Sequence, residues 1–371
     1  MDNKIIIISE ETYSRAQLIK GRLEAEGITC FLSNVNAIRS DVPQGVKIMI
    51  NESDSERAKE IINQIKEDFG EEKEETVKKL RAVRRILVPV DFSEHAKNAC
   101  MYALGIADVL KAEIRLLHVY YSPTVDTAHY SEAYNMNINV EKYIHDIYKN
   151  ARYDMNKLHS ELRTYMRENN LKNATIDSRL LNGAPEAAIM DECKEYEPAL
   201  VVMGYRGKGE AEKRALGSVT SFIINKSKLP VLAVPENARF KGVAQMNNIA
   251  YATNFDNQDF KAIGNLINLI RPFDMKIHCI HVKTEQDEYW DEIKLKGLKE
   301  YFSELEFPGV ECTIIRNKDL ISGLKDFVED HDIHILSATH HKRNFFTNLF
   351  NPSMTHEILN NLNIPILVFH S

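Results

Sequence analysis

One stretch of this chain is written twice. Ile86-Leu-Val-Pro-Val-Asp-Phe-Ser93 aligns with Ile249-Ala-Tyr-Ala-Thr-Asn-Phe-Asp256 at an offset of 163, and at that offset His118-Val119 falls on His281-Val282. The closing runs align too, Leu229-Pro-Val-Leu-Ala-Val234 with Ile364-Pro-Ile-Leu-Val-Phe369, now at an offset of 135. Such self-similarity marks a repeated structural unit. The offset drops from 163 to 135, so the first copy carries about 28 extra residues, which fall within 122–170.

Each copy alternates short β-branched runs with helical stretches. The runs in the first copy are Arg85–Val90, Glu113–Tyr120, Thr175–Leu181, Leu200–Met203 and Val231–Val234. In the second they are Ile249–Thr253, Lys276–Val282, Glu311–Ile315, Ile333–Ser337 and Ile366–Phe369. Strands that are apolar nearly throughout and separated by helices predict a parallel sheet covered on both faces. The expected fold class is α/β: two doubly wound five-stranded parallel-sheet domains. Ahead of them, residues 1–69 read as β-α-β-β-α, with strands at Ile5–Ile8, Ile28–Leu32 and Val46–Ile50 and helices at Glu11–Glu26 and Ser53–Phe69. The expected domains are 1–69, a small α+β unit; 70–82, a charged linker; 83–240, the first copy; and 241–371, the second.

Composition excludes several classes. The 371 residues carry 47 Lys+Arg against 54 Asp+Glu, a net charge of −7, which argues against nucleic-acid and anionic-membrane partners. No apolar run approaches the ~18–20 residues that cross a bilayer, and the opening Met1-Asp2-Asn3-Lys4-Ile5 lacks an export pattern. The five cysteines (Cys30, Cys100, Cys193, Cys279, Cys312) are odd in number and never C-x-x-C, so neither a disulfide framework nor a zinc knuckle fits. The expectation is a soluble, cytoplasmic protein.

The sharpest chemical signal follows the fourth run of the first copy. Gly204-x-x-Gly207, nine residues, then Gly217-Ser218 stand between a buried strand and a helix expected over Ser218–Lys228. Glycine lets main-chain N–H groups approach an anion, and a helix start adds unpaired donors. Ser218, expected at the N-cap, caps the helix or donates to a phosphate. Arg206, Lys208, Lys213 and Arg214 add positive charge. The pattern is neither a Walker A loop nor the dinucleotide fingerprint. A lone G-x-x-G is usually a plain turn; three glycines and a serine at this spacing favour a di- or triphosphate cradle. Asp91, just past the first strand, is the second signal. It could cap the helix Glu94–Leu110, or accept hydrogen bonds from a ribose or an adenine amine. In a doubly wound sheet the first and fourth strands flank the switch-point crevice, so Asp91 and Gly204 are expected to face one cavity.

Residues 84–235 resemble a nucleotide-binding universal stress protein domain. The matching stretches are Ile86–Asp91, Leu116-Leu-His-Val119, Asn182-Gly-Ala-Pro185, Leu200–Gly204 through Gly217-Ser218-Val219, and Leu229–Pro235. The resemblance implies an adenine nucleotide α-hydrolase-like fold and bound ATP, with or without Mg²⁺. It puts Asp91 and Val119 around the adenosine and Gly204, Gly207, Gly217 and Ser218 on the phosphates, with Pro89, Met203 and Val219 adjoining. It implies no catalytic residue and no protein metal site. Residues 1–69 resemble, more distantly, a small prokaryotic signal-transducing domain with a ferredoxin-like plan.

Carried across the repeat, Gly204 becomes Thr339, Gly207 Lys342, Gly217 Pro352, Ser218 Ser353 and Asp91 Asn254. The second copy is therefore expected to bind no ATP. By the same resemblance, the closing strands Pro230–Val234 and Pro365–Phe369 should pair, making an internal pseudo-dimer, with a homodimer of chains left open.

Other candidates read as structure. His278 and His281 fall on opposite faces of one strand and so cannot easily share a metal ion; most of these and of His331, His334, His340, His341 and His356 are expected at loops and strand edges. Cys100 reads as a core residue, and no G-x-S-x-G supports a hydrolase triad. The insertion 122–170 predicts a long helix packing through Ile144, Ile147, Tyr148, Ala151 and Tyr153. The expected function is a nucleotide-responsive stress regulator that acts on an unidentified protein partner. Slow ATP hydrolysis, for which Glu210 and Glu212 are the nearby acids, and a nucleotide-free scaffold are the alternatives.

Overall fold

The computed structural model describes residues 5–11, 13–33, 46–65, 85–121, 134–205, 217–238, 240, 242–253, 257–283, 309–317, 319–340 and 362–370. The expected linker 70–82 lies outside them.

The first sheet has three antiparallel strands, β1 (Ile5–Glu11), β2 (Cys30–Ser33) and β3 (Val46–Asn51), in the order β1-β3-β2. Helix α1 (Tyr13–Ala25) and a helix α2 over 55–65 cover one face. Ala16, Ile19 and Leu23 recur at helical spacing and meet Ala58, Ile61 and Ile62 over Ile48 and Ile50. Gly27, at φ +80°, takes the left-handed turn that ends α1.

The second sheet has ten strands. The first copy supplies β4 (Arg85–Pro89), β5 (Glu113–Tyr120), β6 (Thr175–Asn182), β7 (Leu200–Tyr205) and β8 (Val231–Pro235). The second supplies β9 (Asn248–Ala252), β10 (Lys276–Lys283), β11 (Val310–Arg316), β12 (Ile335–His340) and β13 (Ile366–His370). The spatial order is β11-β10-β9-β12-β13-β8-β7-β4-β5-β6, every pairing parallel except β13 on β8. Within each copy the order is thus third-second-first-fourth-fifth. The antiparallel seam pairs Ile366 with Ala233, Leu367 with Leu232 and Val368 with Val231, joining the copies through their closing strands as expected.

Alternation along each strand feeds two cores. Ile86 and Val88 point to a face covered by α3 (Glu94–Leu110), α4 (Tyr134–Glu168) and α7 (Asn257–Ile270). Leu87 points to the face under α5 (Pro185–Tyr196), α6 (Ser218–Lys226) and α8 (Leu320–Asp330). Both cores run across the seam.

The insertion is the 35-residue α4. Its packing stripe is Ala151, Met155, Leu158 and Leu162. Tyr153, expected to pack, is 69% exposed, because it stands two residues beyond Ala151 and so about 200° around the helix. Tyr148 sets its ring edge-on to Tyr120 at the end of β5, 5.8 Å between centroids.

Candidate functional site

The strand order reverses between β4 and β7. Their ladder runs through Ile86–Leu200 and Leu87–Val201, and beyond it Val90 N donates to Leu117 O of β5 at 2.8 Å. Past Leu87 the tip of β4 stays paired with β5 through Pro89 and Val90. Ligands of doubly wound sheets sit at such a reversal, beyond the carboxyl ends of the strands.

Pro89 ends β4 buried, where its missing N–H costs the ladder least. Exposed Asp91 accepts two hydrogen bonds on Oδ1, from Ser93 N at 3.0 Å and from Ser93 Oγ. Ser93 Oγ in turn accepts from Ala96 N at 3.3 Å and caps α3. The cap is thus Ser93, and Asp91 braces it from outside the helix. Between them Phe92 holds φ +63°, a sparsely populated conformation for an aromatic residue, its ring 4.3 Å from that of His118.

His118 Nδ1 lies 2.8 Å from Val90 O, and its counterpart His281 Nδ1 lies 2.9 Å from Thr253 O. Each imidazole donates to the carbonyl that follows the first strand of its copy. Because both copies keep this bond, it belongs to the scaffold and not to ligand chemistry. Val119, the next residue, is half-buried and packs beside the α5–α6 core.

Gly204 closes the other side. A Cβ there would stand 2.6 Å from the backbone carbon and oxygen of His95 and 2.9 Å from Ala96 N. Its missing side chain admits the first turn of α3. Its carbonyl accepts from Thr220 Oγ1 at 3.0 Å, so β7, α3 and α6 converge on this one residue. Met203, preceding it, is buried in the core.

Helix α6 begins at Ser218 and ends at Lys226, two residues earlier than expected. Gly217 is the N-cap, so the exposed Ser218 is the first helical residue and not the cap. Gly217 has an ordinary φ of −59°, offers no capping side chain, and would meet nothing within 4 Å if given a Cβ. By contrast Ser93 caps α3 and Asp319 caps α8, accepting from Ser322 N. A helix start without a capping side chain, opening on free space, suits an anionic oxygen. Half-buried Val219 follows on the same turn. Gly207, Arg206, Lys208, Lys213, Arg214, Glu210 and Glu212 lie outside the described residues.

The second copy differs at the described counterpart. Thr339, 2% exposed, fills the place of Gly204, and its Oγ1 is hydrogen-bonded to Tyr251 OH. Asn254, Lys342, Pro352 and Ser353 lie outside the described residues, as do His341 and His356. His278 and His281 are buried in β10: His278 Nε2 meets Asn248 Oδ1 at 3.2 Å, and its ring contacts Phe327 and His331. Among the described residues, no three His, Cys, Asp or Glu side chains gather as a metal site, and no helix is long and apolar enough to cross a membrane. Cys100 is buried, and burial pushes its thiol up to about 12, that of an inert core residue.

Thr220 and His118 organise this site, yet neither stood out as a site residue in the chain. Thr220 carries no motif beyond its place two residues after Ser218. His118 could have been found from its recurrence as His281.

Residues 82–235 match the universal stress protein family, and residues 4–66 match a putative prokaryotic signal transducing protein. Universal stress protein MJ0577 of Methanocaldococcus jannaschii is 27% identical over 161 residues, 41% of this chain and 94% of that protein. Universal stress protein YxiE of Bacillus subtilis is 27% identical over 150 residues, 40% of this chain and 97% of that protein. A universal stress protein structure from Archaeoglobus fulgidus shares the fold over 77% of this chain and 98% of its own, with a TM-score of 0.55 at 17% identity.

Proposed function

We propose, on the premise that residues 82–235 are a universal stress protein domain and residues 4–66 a putative prokaryotic signal-transducing domain, that this chain binds one adenine nucleotide, ATP foremost, at the β4–β7 reversal. The observation that carries the reading is the strand-order reversal itself: exposed Asp91 follows β4 and the uncapped start of α6 follows β7, the two strands that flank it. Asp91, with Val119 at the end of β5, would hold the adenosine by its hydroxyls or amine. Main-chain N–H groups at Gly217–Val219 and the Ser218 hydroxyl would take phosphate oxygens, where a helix start favours negative charge. Mg²⁺ would arrive with the triphosphate. Gly204 supports the site by holding α3 and α6 together.

In this reading the nucleotide orders the surface between Gly204 and Ser218, and that surface recruits or releases a protein partner in the cytoplasm. The chain divides into 1–69 as a regulatory module, 70–82 as linker, 83–240 as the nucleotide domain and 241–371 as its silent partner. Thr339 in the place of Gly204 supports the silence of the second copy.

Calorimetric titration of the full chain with ATP, ADP, AMP and cAMP in the presence of Mg²⁺ tests the reading. One site per chain is expected, lost at least tenfold in Asp91→Ala. A Cβ branch in the open space at Gly217 should likewise weaken ATP tenfold or more in Gly217→Val. No heat with millimolar nucleotide, or full affinity in both variants, would overturn it.

A further inference from the structure

Two of the five cysteines are neighbours in space. β10 and β11 pair in parallel, and in that register Cys279 stands directly opposite Cys312. Partners in adjacent strands place their Cα atoms about 4.8 Å apart, inside the roughly 4.4–6.8 Å window that a disulfide spans. Both belong to the same face: Ile277 and Cys279 of β10 and Val310, Cys312 and Ile314 of β11 line the α7 side, whereas Ile280, Val282 and Ile315 line the other. Both are thiols in the structure.

Their settings differ in a useful way. Cys279 is 1% exposed, whereas Cys312 is half-buried on β11, the edge strand of the sheet. A small oxidant can therefore reach Cys312 first, with a second thiol waiting beside it. The remaining cysteines lie on other elements. Cys30 lies in the N-terminal core, Cys100 on α3 of the first copy and Cys193 on α5, on the opposite face of the large sheet. Burial pushes their thiols up to about 11, 12 and 12, which suppresses the reactive thiolate.

We propose that Cys279 and Cys312 are a peroxide-reactive pair that forms a reversible disulfide across β10 and β11. The Cys312 thiolate attacks one peroxide oxygen; the O–O bond breaks, leaving a sulfenic acid on Cys312 and hydroxide, which takes a proton to become water. The Cys279 sulfur then attacks the Cys312 sulfur, forming the S–S bond and expelling the sulfenic oxygen as a second water. Two thiols and one hydrogen peroxide give one disulfide and two waters, with two electrons passing to the peroxide. A dithiol reverses the reaction by exchange. A bond closed between rigid, hydrogen-bonded parallel strands departs from the relaxed geometry and is the more easily reduced for it. Reversible bonds of this kind are the ones a reducing compartment permits.

The test uses the full chain, titrated with hydrogen peroxide, quenched by alkylation and digested with trypsin without reductant. The expected product joins the peptide Ile277–Lys283 to the peptide Glu300–Arg316, with two hydrogens lost from the intact mass, and dithiothreitol returns both thiols. Cys312→Ser abolishes the product. Cys279→Ala leaves Cys312 as a sulfenic acid that dimedone traps, a readout that a purely structural cysteine would not give. Cys100→Ser leaves the linked peptides unchanged. Peroxide treatment that yields no linked peptide, a link from Cys312 to any other cysteine, or a product that dithiothreitol cannot reverse would overturn the proposal. None of these readouts depends on nucleotide, so the proposal stands or falls apart from the ATP site.

Discussion

Two glycines of one motif have opposite physical reasons to be glycine. At Gly204 the space of a side chain is already taken by the backbone of His95 and Ala96. At Gly217 it is open, and the backbone conformation is one that any residue adopts. Gly204→Ala should therefore destabilise the fold by about 1–3 kcal/mol, because neither strand nor helix backbone can yield cheaply. Gly217→Ala should cost about 1 kcal/mol or less, the difference between a Gly and an Ala N-cap. Urea unfolding of both variants separates them, and equal losses would contradict the packing at Gly204. The motif alone could not tell these roles apart, since G-x-x-G and G-S state only where side chains are missing. What lies in the vacated space is set by α3, whose first turn is more than a hundred residues earlier in the chain.

At the scale of elements, the first copy is braced on its outer edge by charges that are far apart in sequence. Buried Glu192 of α5 accepts from Arg115 of β5 at 3.0 Å and from Arg179 of β6 at 2.7 Å. Arg115 also bonds Asp177 at 2.9 Å and lies over the Tyr196 ring, 4.0 Å from its centroid. Removing the carboxylate leaves two guanidinium groups facing each other in a partly dry site. Glu192→Ala should lose about 3–5 kcal/mol, whereas exposed Glu195, which also meets Arg179, should lose under about 1 kcal/mol as Ala. Denaturant midpoints of the two variants check the contrast. This network was invisible in the chain, because its members look like solvated residues of separate strands and helices. The helix α4 was legible as a helix from its length and spacing; of its expected stripe only Ala151 is fully buried, with Met155, Leu158 and Leu162 completing the core contact and Tyr153 facing out. A helix presents only one arc to its neighbours, here α3, β5 and β6, and they decided which.

Across the whole molecule, the seam between the copies carries a titratable tie. His370 closes β13 and reaches the carbonyl oxygens of Leu229, at 3.2 Å, and Ile224 at the end of α6. Burial lowers its pKa below the usual 6.5, outweighing the two carbonyls, which favour the charged ring. Burial also lowers His278. As pH falls through about 6.5, the unfolded imidazoles take up protons before the folded ones, so stability declines with acidification. The denaturation midpoint should fall between about pH 7.5 and 5.5, and His370→Gln should flatten part of that slope. A midpoint unchanged over this range would show that the seam does not carry the effect.

The chain by itself determined the repeat, the alternation of strand and helix, the parallel character of both halves and the residues on which an adenine nucleotide would be sought. These follow from local chemistry: apolar runs demand burial on both faces, and glycine and proline punctuate where side chains or N–H groups are missing. Only the tertiary structure decided that Gly204 packs against α3, that Gly217 and not Ser218 caps α6, that His278 and His281 are buried, and that Cys279 and Cys312 stand side by side. Each of those facts depends on which distant backbone comes to occupy a given volume, and such neighbours are chosen by the assembled sheet rather than by adjacent residues.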